Sequence, residues 1–211
     1  MSLMSFFWRN RHEVLTLTLE HIWLVGLAVL FAVAVGLPLG VLLARRPAFA
    51  RPVLFGANIL QTIPSLAMFG FFMPLPWLGA RAERMTILAL TLYALLPILR
   101  NTYTGIRGVD RAVVEAGRGM GLTDQQLLFR VELPLALGVI VAGIRVAAVI
   151  SVGTATIAAA VGAGGLGEFI FRGVAMVNNQ LILAGAFPAA ALAILADQTL
   201  GFIARRLEHG R

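Results

Sequence analysis

The sequence predicts an all-α, polytopic membrane protein of about five spanning helices, and three observations predict it. Hydrophobic residues make up 59% of the chain and charged residues 13%, against roughly 45–50% and 25% in soluble domains. Ile22 to Ala44 is an uncharged run, long enough to cross the hydrocarbon, which takes about 20 residues. Further apolar runs recur along the chain between short segments where arginines gather. All 17 basic residues are Arg. Without Lys there is no Walker A sequence with its phosphate-binding Lys, so an ordinary P-loop ATPase is excluded. The absence of Cys removes disulfide and thiolate-metal chemistry.

The elements follow in order. Residues 1–21 carry Arg9, Arg11, His12, Glu13 and Glu20 among apolar residues, and read as an amphipathic segment lying at the interface. A cleaved signal peptide is not expected, because the first long apolar run is too long and starts too late. Residues 22–211 then form the transmembrane domain. Its first span is Ile22 to Ala44. The second, Val53 to Leu78, follows a basic hinge of Arg45, Arg46 and Arg51; Pro64, Pro74 and Pro76 imply a kinked or broken helix, tolerable where neighbouring protein satisfies the freed carbonyls. The third runs from Met85 to about Ile106, with Arg100 snorkelling near its end. The fourth runs from Leu135 to about Val161, and the fifth from Leu181 to about Ala204.

The polar segment 110–134 between the third and fourth spans has a shape of its own. Asp110 caps a short helix that turns Glu115 and Arg118 outward and Val113 and Val114 inward, and Gly119 and Gly121 let the chain leave it. Thr123 and Gln126 have capping-box spacing for a second helix with an apolar set of Leu127, Leu128 and Val131. Pro134 suits the first turn of the next. Two short helices at a sharp angle make a protruding knuckle, suited to a partner's groove.

Glu115, Ala116, Gly121, Val131, Leu133 and Pro134 fit the spacing E-A-A-x3-G-x9-I-x-L-P. Gly117 stands where that pattern has a second Ala, and Val131 replaces Ile. This resembles the coupling-loop signature of ABC importer permeases. Leu60–Gly79, Tyr93–Asp110 and Gly153–Gly173 make the chain similar, more narrowly, to permeases of osmoprotectant importers, which carry glycine betaine, choline, carnitine and related quaternary amines. The resemblance implies a type I ABC importer transmembrane domain with a cytoplasmic coupling helix, in which Glu115, Ala116, Gly117, Gly121, Leu133 and Pro134 meet the ATPase. It also implies a second permease, either another copy or a paralogue, a cytoplasmic ATPase that uses ATP and Mg²⁺, and an external binding protein. That binding protein is expected as a separate chain, since few residues follow Ala204. No cofactor is expected on this chain itself.

With the coupling loop placed in the cytoplasm of a bacterial inner membrane, eleven arginines lie inside, five outside, and Arg145 within the bilayer. The bias favours an external N-terminus and a cytoplasmic C-terminus. It also accounts for the net charge of +7 through loops facing anionic membrane lipid, without nucleic acid.

Besides Arg100 near the end of the third span, two charges fall well inside spans. Arg145 lies eleven residues beyond Pro134 and Asp197 eight before Arg205, so at about 1.5 Å per residue both sit at similar depth from one boundary. They are expected to pair or to face the path together, as a clamp or a gate; separate snorkelling is the alternative. Trp77, Tyr93, Phe71 and Phe72 could line a cation path, since aromatic faces hold quaternary ammonium groups, although lipid-facing or packing aromatics are commoner. The run Gly162, Gly164, Gly165, Gly167 lacks a βαβ context and reads as a helix end and turn. His12, His21 and His209 fall outside the predicted spans, make no metal set and read as solvated or interfacial histidines. Two other readings stay open: a permease for a different amine-bearing or amino-acid-like solute, and a self-sufficient secondary carrier using Arg145 and Asp197. The absence of an internal repeat argues against the latter.

Overall fold

The computed structural model describes residues 3–209. The helices are α1 (Leu3–Arg9), α2 (Arg11–Arg45), α3 (Pro47–Thr62), α4 (Ser65–Phe72), α5 (Pro76–Gly79), α6 (Ala82–Arg107), α7 (Arg111–Gly119), α8 (Asp124–Leu127), α9 (Leu133–Ala158), α10 (Gly167–Ala175) and α11 (Asn179–His209). A π turn, Leu128–Glu132, joins α8 to α9. Among the described residues, four helices are long and apolar enough to cross a membrane, and the bent pair α3–α4 makes a fifth crossing if it counts as one span.

The centre of the molecule is the packing of α2, α6 and α9, with α11 against α9, α10 against α11 and α3 against α6. Lipid tails are as apolar as leucine, so helices in a bilayer associate through close packing at small residues. That is what is seen here. Ala28, Ala32, Ala94, Ala147 and Ala155 are fully buried between the three central helices. Two glycines set the closest approaches. A side-chain carbon on Gly40 would lie 2.6 Å from Cβ of Thr102, and one on Gly143 2.8 Å from the Pro97 carbonyl oxygen.

The proline-rich second run is broken. α3 ends at Thr62, and α4 leaves at 97°. Pro64 has no N–H to continue the ladder, and Ile63 before it is extended, with ψ 126°. The Ile63 carbonyl accepts a hydrogen bond from the Tyr93 hydroxyl, and the Gln61 amide donates to the Tyr93 carbonyl at 2.7 Å. Neighbouring α6 thus satisfies the carbonyl that the break frees.

Two expected boundaries and the placement of one histidine change. The helix does not restart at residue 22: α2 is continuous from Arg11, because Leu17 of its first turns packs with Leu166 and Phe169 against the α10 region. His21 is fully buried rather than solvated, with Nε2 3.2 Å from the Val152 carbonyl oxygen. The fourth span has no separate start near Leu135, since one helix runs from Asp124 to Val161 through the π turn. A π turn widens the helix just before Pro134, whose ring and missing N–H are poorly tolerated by a regular α ladder. Ser2 and the side chains of residues 207–209, His209 included, lie outside the description.

The glycine run ends α9 and turns the chain into α10. Gly162, Gly164 and Gly165 have φ of +78°, +82° and +78°, a region that side chains rarely adopt. The Gly165 N–H donates to the Glu20 carboxylate at 3.0 Å, which ties this turn to α2.

Candidate coupling site

At the opposite end from that glycine turn, the segment between α6 and α9 folds into the knuckle. Its first helix is capped at both ends by local bonds. The Asp110 carboxylate accepts from the Ala112 N–H at 2.9 Å. At the other end, the Gly121 N–H donates to the Arg118 carbonyl at 2.9 Å and the Leu122 N–H to the Gly117 carbonyl at 3.1 Å. That paired pattern is a Schellman cap, and it requires the left-handed residue that Gly121 supplies at φ +82°. α8 starts on a reciprocal capping box: Thr123 N–H to Gln126 Oε1 at 2.9 Å, and Gln126 N–H to Thr123 Oγ1 at 3.3 Å.

Gly117 is buried where α7 crosses α8, and a carbon on it would lie 2.6 Å from Cδ2 of fully buried Leu127. This explains why Gly stands at the second Ala of the signature: Leu127 fills the space that the alanine methyl would take. Glu115, Ala116 and Gly121 are exposed. Leu133 and Pro134 are half-buried in the first turn of α9. Val113 corrects its expected inward placement. It is 43% exposed, and with Ala116 and Met120, itself 76% exposed, it makes an apolar stripe along the free side of α7. The reason is that α7 stands off the bundle, so only its Val114 and Gly117 side finds neighbours.

Behind α7 is a cavity of about 260 Å³, lined by Arg45, Arg107, Arg111, Glu115, Arg118 and Glu132 among others. Sequence reasoning missed one contact here. Arg45, at the end of α2, forms an ion pair with Glu132 in the π turn. Its guanidinium also donates to the Glu132 Oε1 atom at 3.2 Å and to the Asp124 carbonyl at 3.4 Å. The signal available was Glu132 itself, an acid between Val131 and Leu133 in an otherwise apolar register.

The structure brings Arg145 and Asp197 together across α9 and α11. Nε meets Oδ1 at 3.0 Å and Nη2 meets Oδ2 at 2.8 Å. Gly201 leaves room for the guanidinium, since a carbon there would lie 3.1 Å from Cζ. An apolar groove of about 450 Å³, between Val146, Val149, Ala193 and Ile194, opens beside Asp197.

The aromatics occupy separate surroundings. Tyr93 is buried with Met68, Phe69 and Met85, whereas Trp77 is 68% exposed beside Phe31 and Ile87. Phe71 is exposed and Phe72 half-buried on α4.

A family model described as the binding-protein-dependent transport system inner membrane component matches residues 36–209. The chain is 45% identical over 206 residues to the carnitine transport permease protein OpuCB of Listeria monocytogenes, covering 98% of this chain and 93% of that one. It is 44% identical over 205 residues to the choline transport system permease protein OpuBB of Bacillus subtilis, covering 97% and 93%. Its fold matches a chain of the inward-facing MetNI methionine ABC transporter with a TM-score of 0.83 at 25% identity, covering 98% and 99%. The protein therefore belongs to the family of binding-protein-dependent transport system inner membrane components, and is an inner-membrane permease subunit of the type I ABC importer class.

Proposed function

We propose that this permease forms the pathway for osmoprotectants of the quaternary-amine class, glycine betaine, choline and carnitine among them, and that α7 receives the force of a separate ATPase. The exposed stripe of Val113, Ala116 and Met120 on a doubly capped, rigid helix carries the coupling half of this reading. An apolar stripe rimmed by Glu115 and Arg118 suits insertion into a partner's groove, and a helix fixed at both ends transmits displacement instead of absorbing it. Relatives named for carnitine and choline transport support the substrate half.

In this reading ATP and Mg²⁺ act on the ATPase. The permease pairs with a second copy or a paralogue, and an external binding protein delivers the solute to the face that carries Glu20, Glu83 and Glu168. The N-terminus is then outside and the C-terminus in the cytoplasm. Competition tests the substrate class: in vesicles holding the complete importer, excess glycine betaine, choline or carnitine reduces uptake of the labelled solute. Failure of all three to compete contradicts the substrate class.

A further inference from the structure

Few residues tie α7 to the rest of the chain. α7 packs on α8 and the π turn, and a cavity of about 260 Å³ lies behind it in place of packed side chains. Because the π turn is continuous with α9, displacement of α7 passes along the chain into α9. α2 has no such covalent route. Its end reaches the knuckle through Arg45, whose guanidinium pairs with Glu132 and also donates to the Asp124 carbonyl.

An apolar cluster of Ala44, Ile106, Ala136 and Ile140 also joins α2, α6 and α9 at this end. Apolar contact is non-directional, whereas a guanidinium–carboxylate pair fixes position and angle. Glu132 is 6% exposed, and is the sole buried carboxylate among the described residues. A carboxylate withdrawn from water demands a partner. It sits in a π turn, an irregularity that often accompanies function.

We propose that Arg45 and Glu132 are the positioning pair that makes α2 follow α9 when the knuckle is displaced, and so set how much solute moves per ATP hydrolysed. This rests on the coupling role given to α7 above. The experiment uses the complete importer, this permease with its ATPase and binding protein, in vesicles, and reads solute uptake and ATP hydrolysis together. Glu132→Gln and Arg45→Gln are expected to lower the uptake per ATP by about fivefold or more, the lower range of coupling between linked sites. Exchanging the charges, Arg45→Glu with Glu132→Arg, is expected to recover the ratio.

Uptake and hydrolysis falling in parallel, with the ratio unchanged, would mean that the pair only supports folding or assembly, and would overturn the proposal. So would a double exchange no better than the single changes. Gly121→Val and Glu115→Arg, measured alongside, separate the two ideas: normal uptake in both removes α7 from the coupling path and takes this inference with it.

Discussion

Arg145 and Asp197 meet at two points, Nε to Oδ1 at 3.0 Å and Nη2 to Oδ2 at 2.8 Å, and so join α9 to α11 at the depth of the apolar groove. Charges at such depth are costly when alone. Asp197→Asn should therefore lower the yield of folded protein, and adding Arg145→Gln should cost little beyond either single change. Residues that act as one unit give non-additive losses. Strictly additive losses in thermal unfolding would show that the two act independently.

Gly121→Val and Glu115→Arg should each abolish ATP-driven uptake while expression and binding-protein affinity stay near normal. The valine opposes the φ of +82° that the Schellman cap needs, at about 1–2 kcal/mol for a left-handed side chain. The arginine reverses an exposed charge on α7. Normal uptake in both would remove the loop from energy coupling.

Close helix packing can be probed through two glycines. A side chain at Gly143 would meet Cβ of Asn101 at 2.6 Å and the Pro97 carbonyl oxygen at 2.8 Å, and backbone cannot swing aside. Gly143→Val should destabilise by about 1–3 kcal/mol. Gly26 has nothing within 4 Å, so Gly26→Ala should leave stability within about 1 kcal/mol of the parent. Equal unfolding midpoints for the two variants would contradict the α6–α9 approach.

The chain has no cysteine, which makes topology directly measurable. Single cysteines at Ser5 or Glu168 should be labelled by an impermeant reagent in intact cells, and one at Asp124 protected. The opposite pattern would invert the orientation and move the knuckle to the wrong side for an ATPase.

What could be read from the sequence was mostly local or compositional. Asp110 and Ala112, or Thr123 and Gln126, lie within three residues of their partners, so caps are legible as spacing. Long apolar runs are legible as hydropathy. The contacts that escaped are distant in sequence: Arg45 and Glu132 are 87 residues apart, and His21 and Val152 are 131. His21 looked interfacial because its surroundings in sequence are mixed, yet α9 supplies a carbonyl that lets it be buried. Val113 was misplaced because helical periodicity assigns a packed face, whereas a protruding helix leaves an apolar face for another molecule. The π turn has no local signal beyond Pro134, and Pro134 also suits an ordinary first turn.

The central claim, that this permease is driven through α7 by a separate ATPase, is tested most directly by uptake into vesicles containing the permease and the binding protein, with and without the ATPase subunit. The account predicts solute accumulation only when the ATPase and Mg–ATP are both present, unaffected by collapsing ion gradients. Accumulation by the permease alone, driven by an imposed ion gradient, would contradict it and return Arg145 and Asp197 to the role of ion-coupling charges.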